Sequence, residues 1–422
     1  MSCVLPLCSM VMVSILPSRH CPDLTIHFIL VVSMGSKIGF IGSGKLLLDR
    51  AKSFGLYVVL IQKQSLASME AIALADSVLL CDYDAADNKK IILDFLREQG
   101  IEKVLTLSEK ALPAAAWIND ELSHDTKNST TAEIVKNKIL MRDTLKGTPY
   151  GNVNYHAVRS ANDLSQAAAL LGFPFILKPS RGVGSENVHL VVDDKQLPTI
   201  NVQQTLIAEQ YIGGKEYSIE AYSVNGVHTV HAVTEKSLFD NEDSRFVEHG
   251  HVVSRENNDG PFFAAIDDFV CGFLSLIGIE SGATHTEVKV VRSGIHIIES
   301  HNRVGGDNIP ELVYHATGVD LYSLAIQDAS GLPLDNTRKP VSNNSGILFF
   351  DFEPGQVSSL CGEQRVKLLP FVKDVSLPEL INAPLSRPVD SFSRNGYVIC
   401  STPEDVKSKL ELCQTLIKPI YI

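Results

Sequence analysis

The stretch THTEVKVVRSGIHIIES contains two glutamates that could hold divalent cations. Its alternation of apolar and polar residues predicts two strands joined by a turn near Ser293 and Gly294. A loop centred on residue 293 places Glu287 and Glu299 opposite each other on one face, whereas a two-residue turn at 293–294 places them on opposite faces. We therefore predict a three- or five-residue loop or a bulge here, with Gly294 in a left-handed conformation.

Carboxylates that face each other across this hairpin would suit metal binding. The Cβ atoms of opposite residues lie about 4.5–5.5 Å apart, so the two side chains could share one or two hard cations. A bound metal would also remove the repulsion between them. The alternative is two glutamates on an exposed face, each paired with a lysine. Arg303, four residues beyond Glu299, favours the metal site, because a positive charge beside metal carboxylates suits phosphoryl transfer.

A lysine that precedes a glycine-rich loop, in FPFILKPSRGVGSENVHLVV, could hold phosphate groups. Lys178 lies in a predicted strand and would project from a rigid element. The loop SRGVGSEN, with Gly182, Gly184 and Ser185, offers backbone N–H groups and the mobility of a lid. The alternative is a surface hairpin with a solvated lysine.

Two further glycine loops are weaker signals. GFIGSGKL, from Gly39 to Leu46, has the spacing of a phosphate-binding loop, but Leu46 stands where a metal-binding hydroxyl is needed. It is also incomplete as a dinucleotide fingerprint, so a tight strand-to-helix turn is favoured. RVGGDNIPELV places Gly305 and Gly306 after an acidic strand end, where they allow close approach of a ligand or make a turn.

The elements that must position these residues follow two patterns. Strands alternating with helices predict a small parallel α/β layer up to about residue 125. The polar stretch NDELSHDTKNST is predicted to be a linker, and TAEIVKNKILMRDTLKG a single helix ending at Gly147. Short strands with tight turns, such as the one at Asn225 and Gly226, predict an α+β body over about 150–330. The remainder mixes strands with a last helix.

Composition argues against several classes of partner. The chain has 422 residues, 45% of them hydrophobic, and a net charge of −12 without a long basic run, so we expect no binding to nucleic acid or to a membrane. Apolar stretches are too short for a membrane span. Eight cysteines without regular spacing predict reduced thiols in a cytoplasmic protein. Residues 1–33 are unlike a signal peptide, and we expect the native start to be Met34, with a targeting peptide as the alternative.

The order of these motifs resembles that of the ATP-grasp family of carboxylate–amine ligases, from about residue 35 to about residue 335. A lysine on a helix, Lys138, is followed by the strand lysine, the glycine loop, the hinge segment EQYIGGKEYSIE and the paired glutamates with an arginine. The resemblance implies an α/β and α+β chain with the ATP-grasp fold and an N-terminal Rossmann-like (pre-ATP-grasp) domain.

The resemblance also implies ATP as co-substrate and two Mg²⁺ ions, with Mn²⁺ as an alternative. Lys138 and Lys178 would bind the ATP phosphates beneath the glycine loop, and Glu216 would hold the ribose hydroxyls. Glu287 and Glu299 would ligate the metal ions. The adenine would meet the hinge residues Glu209, Gln210, Tyr211 and Ile212.

Two segments, FVEHGHVV and ESHNRVGGDNIPELV, are most similar to the L-amino acid α-ligases, which are dipeptide synthetases of the bacilysin and tabtoxin ligase type. The similarity implies that Glu248 and His251 face the amino-acid site, with Glu248 meeting an ammonium group. A satisfied strand-end pair is the alternative for these two residues. Gly305, Gly306 and Asp307 would line a carboxylate pocket.

The implied reaction joins two unprotected L-amino acids through an aminoacyl-phosphate, with release of ADP and phosphate. Arg303 would stabilise the transferring phosphoryl group, the acyl-phosphate or the tetrahedral oxyanion. Many family members have asparagine two residues after the second metal glutamate, where this chain has His301. His301 could be a weaker ligand, a substrate contact or a packed side chain.

Three alternatives remain. The first is another ATP-grasp ligase, acting on a purine precursor, a polyamine or bicarbonate. The second is a non-catalytic nucleotide-binding protein, against which the intact lysines, glutamates and arginine argue. The third is an NAD(P)-dependent oxidoreductase that uses GFIGSG, but Gln62 and Lys63 stand where an acidic ribose ligand is expected.

We expect five segments. Residues 1–33 form an atypical extension, 34–125 a Rossmann-like domain, 126–212 the small ATP-grasp lobe, 213–335 the large lobe with the metal site, and 336–422 the completion of the body or a cap over the acceptor site. The expected partners are amino-acid substrates and, by family resemblance, a second copy of the chain in a homodimer.

Overall fold

The computed structural model describes residues 36–123, 127–182, 184–241, 244–377 and 384–422. The predicted extension 1–33, with Cys3, Cys8 and Cys21, and the predicted start at Met34 lie outside these residues. The cysteines within them, from Cys81 to Cys413, are free thiols.

The first part of the chain alternates strands and helices as predicted. Its elements are β1 (Lys37–Ile41), α1 (Lys45–Ser53), β2 (Tyr57–Gln62), α2 (Met69–Leu74), β3 (Ser77–Leu80), α3 (Lys89–Gln99), β4 (Val104–Leu105) and α4 (Leu112–Ser123). The strands form a parallel sheet in the order β3-β2-β1-β4. Ile38 and Phe40 pack with α1 on one face, whereas Ile41 packs with α3 and α4 on the other. Burial on both faces explains why these strands are continuous apolar runs.

The next part contains a small antiparallel sheet in the order β5-β8-β6-β7. Its elements are α5 (Lys127–Lys136), α6 (Lys138–Leu145), β5 (Tyr155–Val158), α7 (Ala161–Leu171), β6 (Phe175–Pro179), β7 (His189–Val191) and β8 (Leu206–Gln210). Phe175 and Leu177 of β6 pack against Leu164 and Ala167 of α7, so one face of the sheet is covered. The other face is left to contact the rest of the molecule.

Two sequence predictions in this region are wrong. The single helix predicted over TAEIVKNKILMRDTLKG is two helices, because the side chain of Asn137 accepts a hydrogen bond from the Leu140 N–H and begins a new helix. The predicted linker NDELSHDTKNST starts within α4 and ends within α5. The Asp120 carboxylate accepts hydrogen bonds from the backbone N–H groups of Asn128 and Ser129, and so joins the two helices.

An eight-stranded antiparallel sheet forms the centre of the remaining structure, in the order β13-β12-β9-β10-β11-β14-β18-β16. The elements up to residue 329 are β9 (Lys215–Val224), β10 (Val227–Leu238), β11 (Glu248–Val253), α8 (Gly260–Leu276), β12 (Gly282–Val291), β13 (Gly294–His301), α9 (Ile309–Thr317) and α10 (Leu321–Ala329). Helix α8 covers one face and α9 and α10 cover the other. The turn at Asn225 and Gly226 joins β9 to β10 as predicted, with φ of 51° and 76°.

The C-terminal elements extend this same sheet. They are β14 (Asn344–Phe349), β15 (Gly355–Cys361), α11 (Glu363–Lys367), β16 (Val372–Ser376), β17 (Pro384–Leu385), β18 (Tyr397–Thr402), α12 (Val406–Leu416) and β19 (Lys418–Tyr421). Strands β14, β18 and β16 continue the sheet beyond β11, and β17-β15-β19 form a separate small sheet. Among the described residues, the structure has no helix that is both long and apolar enough to cross a membrane.

The β12–β13 hairpin contains the predicted bulge. Val291 pairs with Gly294 across a two-residue turn, which alone would place the two glutamates on opposite faces. The pairing shifts by one residue between Val288 and Glu287, where Ile298 is the extra residue, and this brings Glu287 opposite Glu299. Gly294 has a φ of +134°, as expected of a glycine-dependent position.

Candidate active site

The residues predicted to bind ATP line one cavity, which we call the lysine cavity. It lies between the small β5-β8-β6-β7 sheet and the eight-stranded sheet. The predicted residues that line it are Lys138, Lys178, Gly182, Gly184, Ser185, Glu209, Gln210, Tyr211, Ile212, Glu216, Glu287 and Glu299. Tyr211 is 42% exposed at its edge and Ile212 is buried.

Lys178 is held by a buried glutamate. Its Nζ lies 2.8 Å from Glu209 Oε2, and the Nε of Arg142 donates to Glu209 Oε1 at 2.6 Å. Burial opposes the charge on Glu209, but Arg142 and Lys178 outweigh this effect and lower its pKa to about 2. Arg142 also donates to the carbonyls of Ile297 and Ile298 at 2.8 and 3.2 Å, so it fastens the predicted hinge strand to the bulge of β13. The Glu209 carboxylate therefore positions Lys178.

Lys138 occupies the first turn of α6, because the chain begins a new helix at Asn137. Its Nζ lies 2.9 Å from Glu299 Oε2 and donates to the Gly182 carbonyl at 3.0 Å. Burial lowers the pKa of Lys138, but the opposing Glu299 raises it by more, so the ammonium stays charged. This lysine thus joins the glycine loop to the glutamate pair.

Each glutamate of the pair is supported by a histidine from the same strand. His285 lies with Nδ1 2.6 Å from Glu220 and Nε2 3.3 Å from Glu287. His301 lies with Nε2 3.3 Å from Glu299. Burial opposes the charge on His285, but its two glutamates raise its pKa to about 10. The rings of the two histidines face each other, with centroids 6.0 Å apart.

Both glutamates of the pair are ionised at neutral pH. Burial alone would raise the pKa of Glu287, but Lys236 and His285 outweigh it and hold that pKa far below its ordinary value. Lys138 and His301 do the same for Glu299. The repulsion expected between the two carboxylates is therefore balanced by lysine and histidine side chains.

Lys236, from β10, is a site residue that the sequence did not reveal. Its Nζ lies 2.6 Å from Glu216, 2.7 Å from Glu287 and 3.7 Å from Glu248. Lys289 Nζ lies 3.2 Å from the other oxygen of Glu216. One ammonium group therefore connects Glu216, Glu287 and Glu248, which are the predicted ribose, metal and amino-acid ligands.

The residues predicted to contact the amino-acid substrate line a second cavity, which we call the arginine cavity. They are Glu248, His251, Arg303, Gly305, Gly306 and Asp307. The two cavities share Gly184, Ser185, Lys236, Glu287 and Glu299, so they meet at the glutamate pair.

Arg303 is anchored by the loop that follows β4. Its Nε donates to Glu109 Oε2 at 2.7 Å, and His301 Nδ1 lies 3.1 Å from the same oxygen. Burial would raise the pKa of Glu109, but His301 and Arg303 lower it to about 2. Glu109 therefore connects the parallel sheet to the end of β13. Sequence reasoning missed it, since it stands in a loop with no motif around it.

The C-terminal segment closes the other side of this cavity. Arg394 donates through Nη1 to Asp307 Oδ2 at 2.8 Å and stacks on Phe349, with its guanidinium carbon 3.6 Å from the ring centroid. His251 Nε2 lies 3.0 Å from the same Asp307 oxygen. Ser391 donates to Glu248 at 2.7 Å. Arg394 and Ser391 were not predicted.

The glycine loop reaches both the sheet and the C-terminal segment. Ser185 Oγ donates to Glu248 at 3.1 Å, and the Gly184 carbonyl accepts from the Ser391 N–H at 3.3 Å. Gly184 has a φ of +66°, and a Cβ there would lie 3.0 Å from the Phe392 ring. The loop thus lies over the junction of the two cavities, as a lid would.

The other glycine motif lies away from both cavities. GFIGSGKL forms the turn between β1 and α1, and it lines neither cavity. Lys63, which stands where a dinucleotide-binding oxidoreductase would have an acidic ribose ligand, forms ion pairs with Asp82 at 2.8 Å and with Asp84 at 2.5 Å. The position therefore offers no support for the oxidoreductase alternative.

Comparison with known proteins identifies the domain. Residues 195–311 match the family model described as ATP-grasp domain. This segment, about a quarter of the chain, includes Lys236 and the glutamate pair. Uncharacterized protein y4rH of Sinorhizobium fredii is 26% identical over 280 residues, which are 63% of this chain and 57% of that protein. The chain thus spans little more than half the length of this relative.

Two ligases are also similar to this chain. The L-arginine-specific L-amino acid ligase of Bacillus subtilis is 20% identical over 317 residues, covering 72% of this chain and 76% of the relative. The crystal structure of an L-amino acid ligase from Bacillus licheniformis superposes with a TM-score of 0.76 at 23% identity, covering 92% of this chain and 99% of that one. The predicted ATP-grasp fold is thereby confirmed. Both of these ligases are 23% identical to this chain or less.

The glutamate pair fits the Mg²⁺ that ATP-grasp enzymes use. Glu287 and Glu299 offer hard, ionised oxygen ligands at the junction of the cavities. Mg²⁺ is usually bound through one or two carboxylates together with substrate phosphates, and this pair could supply the carboxylates. Among the described residues, no group of three or more histidine, cysteine, aspartate and glutamate side chains is arranged to hold a metal ion by itself.

Proposed function

We propose that this protein joins two unprotected L-amino acids into a dipeptide, at the cost of one ATP, through an aminoacyl-phosphate. The observation that carries the proposal is the meeting of the two cavities at Glu287 and Glu299. One cavity holds lysines suited to phosphates, and the other holds paired acidic and basic groups suited to the charged ends of an amino acid. The names of the relatives, which are L-amino acid ligases, support the same reading.

ATP would occupy the lysine cavity. Lys138 and Lys178 would bind its phosphates, residues 209–212 would contact adenine, and Glu216 would hold the ribose. Glu287 and Glu299 would hold two Mg²⁺ ions, or Mn²⁺. These ions, when bound, neutralise the negative charge of the phosphates. The glycine loop would keep water from the reacting groups.

The amino acids would occupy the arginine cavity. Glu248, already an acceptor for Ser185 and Ser391, would meet an ammonium group. A carboxylate oxygen of the first amino acid attacks the γ-phosphorus, and ADP leaves with the electron pair of the broken P–O bond. The neutral amine of the second amino acid then attacks the acyl carbon, and Arg303 stabilises the oxyanion. The bond between the acyl carbon and the phosphate oxygen breaks, phosphate leaves with the electron pair, and the nitrogen loses a proton to the phosphate or to solvent.

The test is phosphate release by the full chain with Mg-ATP and single or paired L-amino acids, followed by mass spectrometry. We expect phosphate release that depends on amino acids, together with a product whose mass equals two amino acids minus water. Glu299→Gln should abolish both signals. Nucleotide binding without turnover on any pair would contradict the dipeptide reaction and would direct the search to purine precursors, polyamines or bicarbonate.

A further inference from the structure

Lys236 lies where the two cavities meet. Among the described residues, five line both cavities, namely Gly184, Ser185, Lys236, Glu287 and Glu299. Lys236 is the one cationic side chain in this set. Lys138 and Lys178 line the lysine cavity, and Arg303 and Arg394 line the arginine cavity.

The sheet fixes Lys236 rigidly at this position. On β10 it pairs with Glu216 of β9 on one side and with His251 of β11 on the other. The side chain is only 5% exposed, and its ammonium group contacts Glu216 and Glu287 at 2.6 and 2.7 Å. Such a group reaches the junction without having to order a flexible surface chain.

In the proposed reaction, the group that moves from one cavity to the other is a negatively charged phosphoryl group. A phosphoryl group passing from ATP to a carboxylate must cross their junction, and catalysis of this transfer rests on positioning and on cations. An ammonium group has three donors. Lys236 donates to an oxygen of Glu287, and Glu287 is also a candidate metal ligand. If that carboxylate binds a cation, one N–H donor of Lys236 would be free to contact a phosphate oxygen.

We propose that Lys236 is a further catalytic residue, which contacts the transferring phosphoryl group and then the phosphate of the acyl-phosphate. This inference rests on the proposed function. The bond between the γ-phosphorus and the β–γ bridging oxygen breaks, a bond to the substrate carboxylate oxygen forms, and ADP takes the electron pair. Lys236 remains protonated throughout and neutralises charge on the oxygens that are transferred.

The test compares two nucleotides on the full chain by calorimetry in excess Mg²⁺. A contact with the γ-phosphoryl group predicts that Lys236→Gln weakens binding of a non-hydrolysable ATP analogue about tenfold or more, since charge-assisted hydrogen bonds are the strong ones. ADP affinity should change less than about twofold, because ADP lacks the group. The ATP-analogue to ADP affinity ratio is therefore the quantity to report.

Lys289→Gln is the matched control. Lys289 contacts the same Glu216 at 3.2 Å and lines the lysine cavity without reaching the arginine cavity. It should change the affinities for both nucleotides by the same factor. If Lys236→Gln does not fold, as judged by its melting curve, Lys236→Arg replaces it, and the displaced charge must still change the affinity ratio.

An unchanged ratio in the Lys236 variant, with nucleotide binding by the wild type intact, overturns the assignment and leaves the proposed function standing. Absence of binding of either nucleotide to the wild type overturns the proposed function and the assignment with it.

Discussion

The lysine cavity and the arginine cavity are built in different ways. Lysine-cavity groups come from successive segments of a continuous stretch, from Lys138 to Glu299. Arginine-cavity groups come from parts of the chain that are far apart, including Glu109 after β4 and Arg394 before β18. The difference teaches that the groups proposed to bind phosphate are encoded by local motifs, whereas the proposed amino-acid end depends on long-range assembly.

The largest expected effect concerns the buried ion pairs of the lysine cavity. Glu209→Gln leaves the charges of Arg142 and Lys178 without their carboxylate, and breaking a buried pair typically costs about 3–5 kcal/mol. Chemical unfolding should show a loss of this size. Asp49→Asn, which removes the exposed partner of Lys45, should leave the midpoint nearly unchanged. Equal effects would mean that Glu209 does not organise the cavity.

The next effect concerns close packing beneath the arginine cavity. A Cβ at Gly305 would lie 2.8 Å from His285 Nδ1 and 3.1 Å from Glu220 Oε2. Gly305→Ala should therefore lower stability by about 1–3 kcal/mol, the usual cost of overpacking. Gly306→Ala is the control, because nothing lies within 4 Å of a Cβ there. Thermal melts of both variants measure this difference in stability. Identical melting temperatures would show that the structure around Gly305 accommodates the added methyl group, and would contradict the prediction.

A smaller and more selective effect is expected at Arg394. Removing the Arg394 side chain should raise KM for an amino acid about tenfold, which equals about 1.4 kcal/mol. KM for ATP should stay unchanged, because Arg394 lines the arginine cavity and not the lysine cavity. Arg387→Gln, in the same segment, removes an exposed pair with Glu353 and should change neither constant. A rise in KM for ATP alone would contradict the assignment of the arginine cavity to the amino acids.

The sequence predicted the fold, and it named twelve residues that the structure brings together in the lysine cavity, because each motif there is local. The parallel layer and the hairpin bulge followed from apolar runs and from register. Arg394, Glu109 and Lys236 could not be found in this way, since their roles arise from tertiary contacts without a nearby pattern. Lys236 lies opposite Glu216 in the neighbouring strand, and this offers a signal only once strand pairing is known.

The smallest effect is the acid response of the arginine cavity. Glu109 has a folded pKa of about 2 against an ordinary value of 4.5, so it contributes stability above about pH 4.5 that is lost as the pH falls towards 2. Glu109→Gln should flatten the decline in melting temperature across this window. Only part of the decline should disappear, because Glu209 loses its contribution over the same range. An unchanged slope would contradict the role of Glu109.

The central claim is that a carboxylate is activated by ATP at the junction of the two cavities. The most direct measurement uses L-amino acids whose carboxylates carry heavy oxygen, with mass analysis of the released phosphate. Attack of the carboxylate on the γ-phosphorus predicts that one labelled oxygen appears in each phosphate formed during dipeptide synthesis. Phosphate without the label, formed alongside dipeptide, would contradict the acyl-phosphate route and the account of the junction built on it.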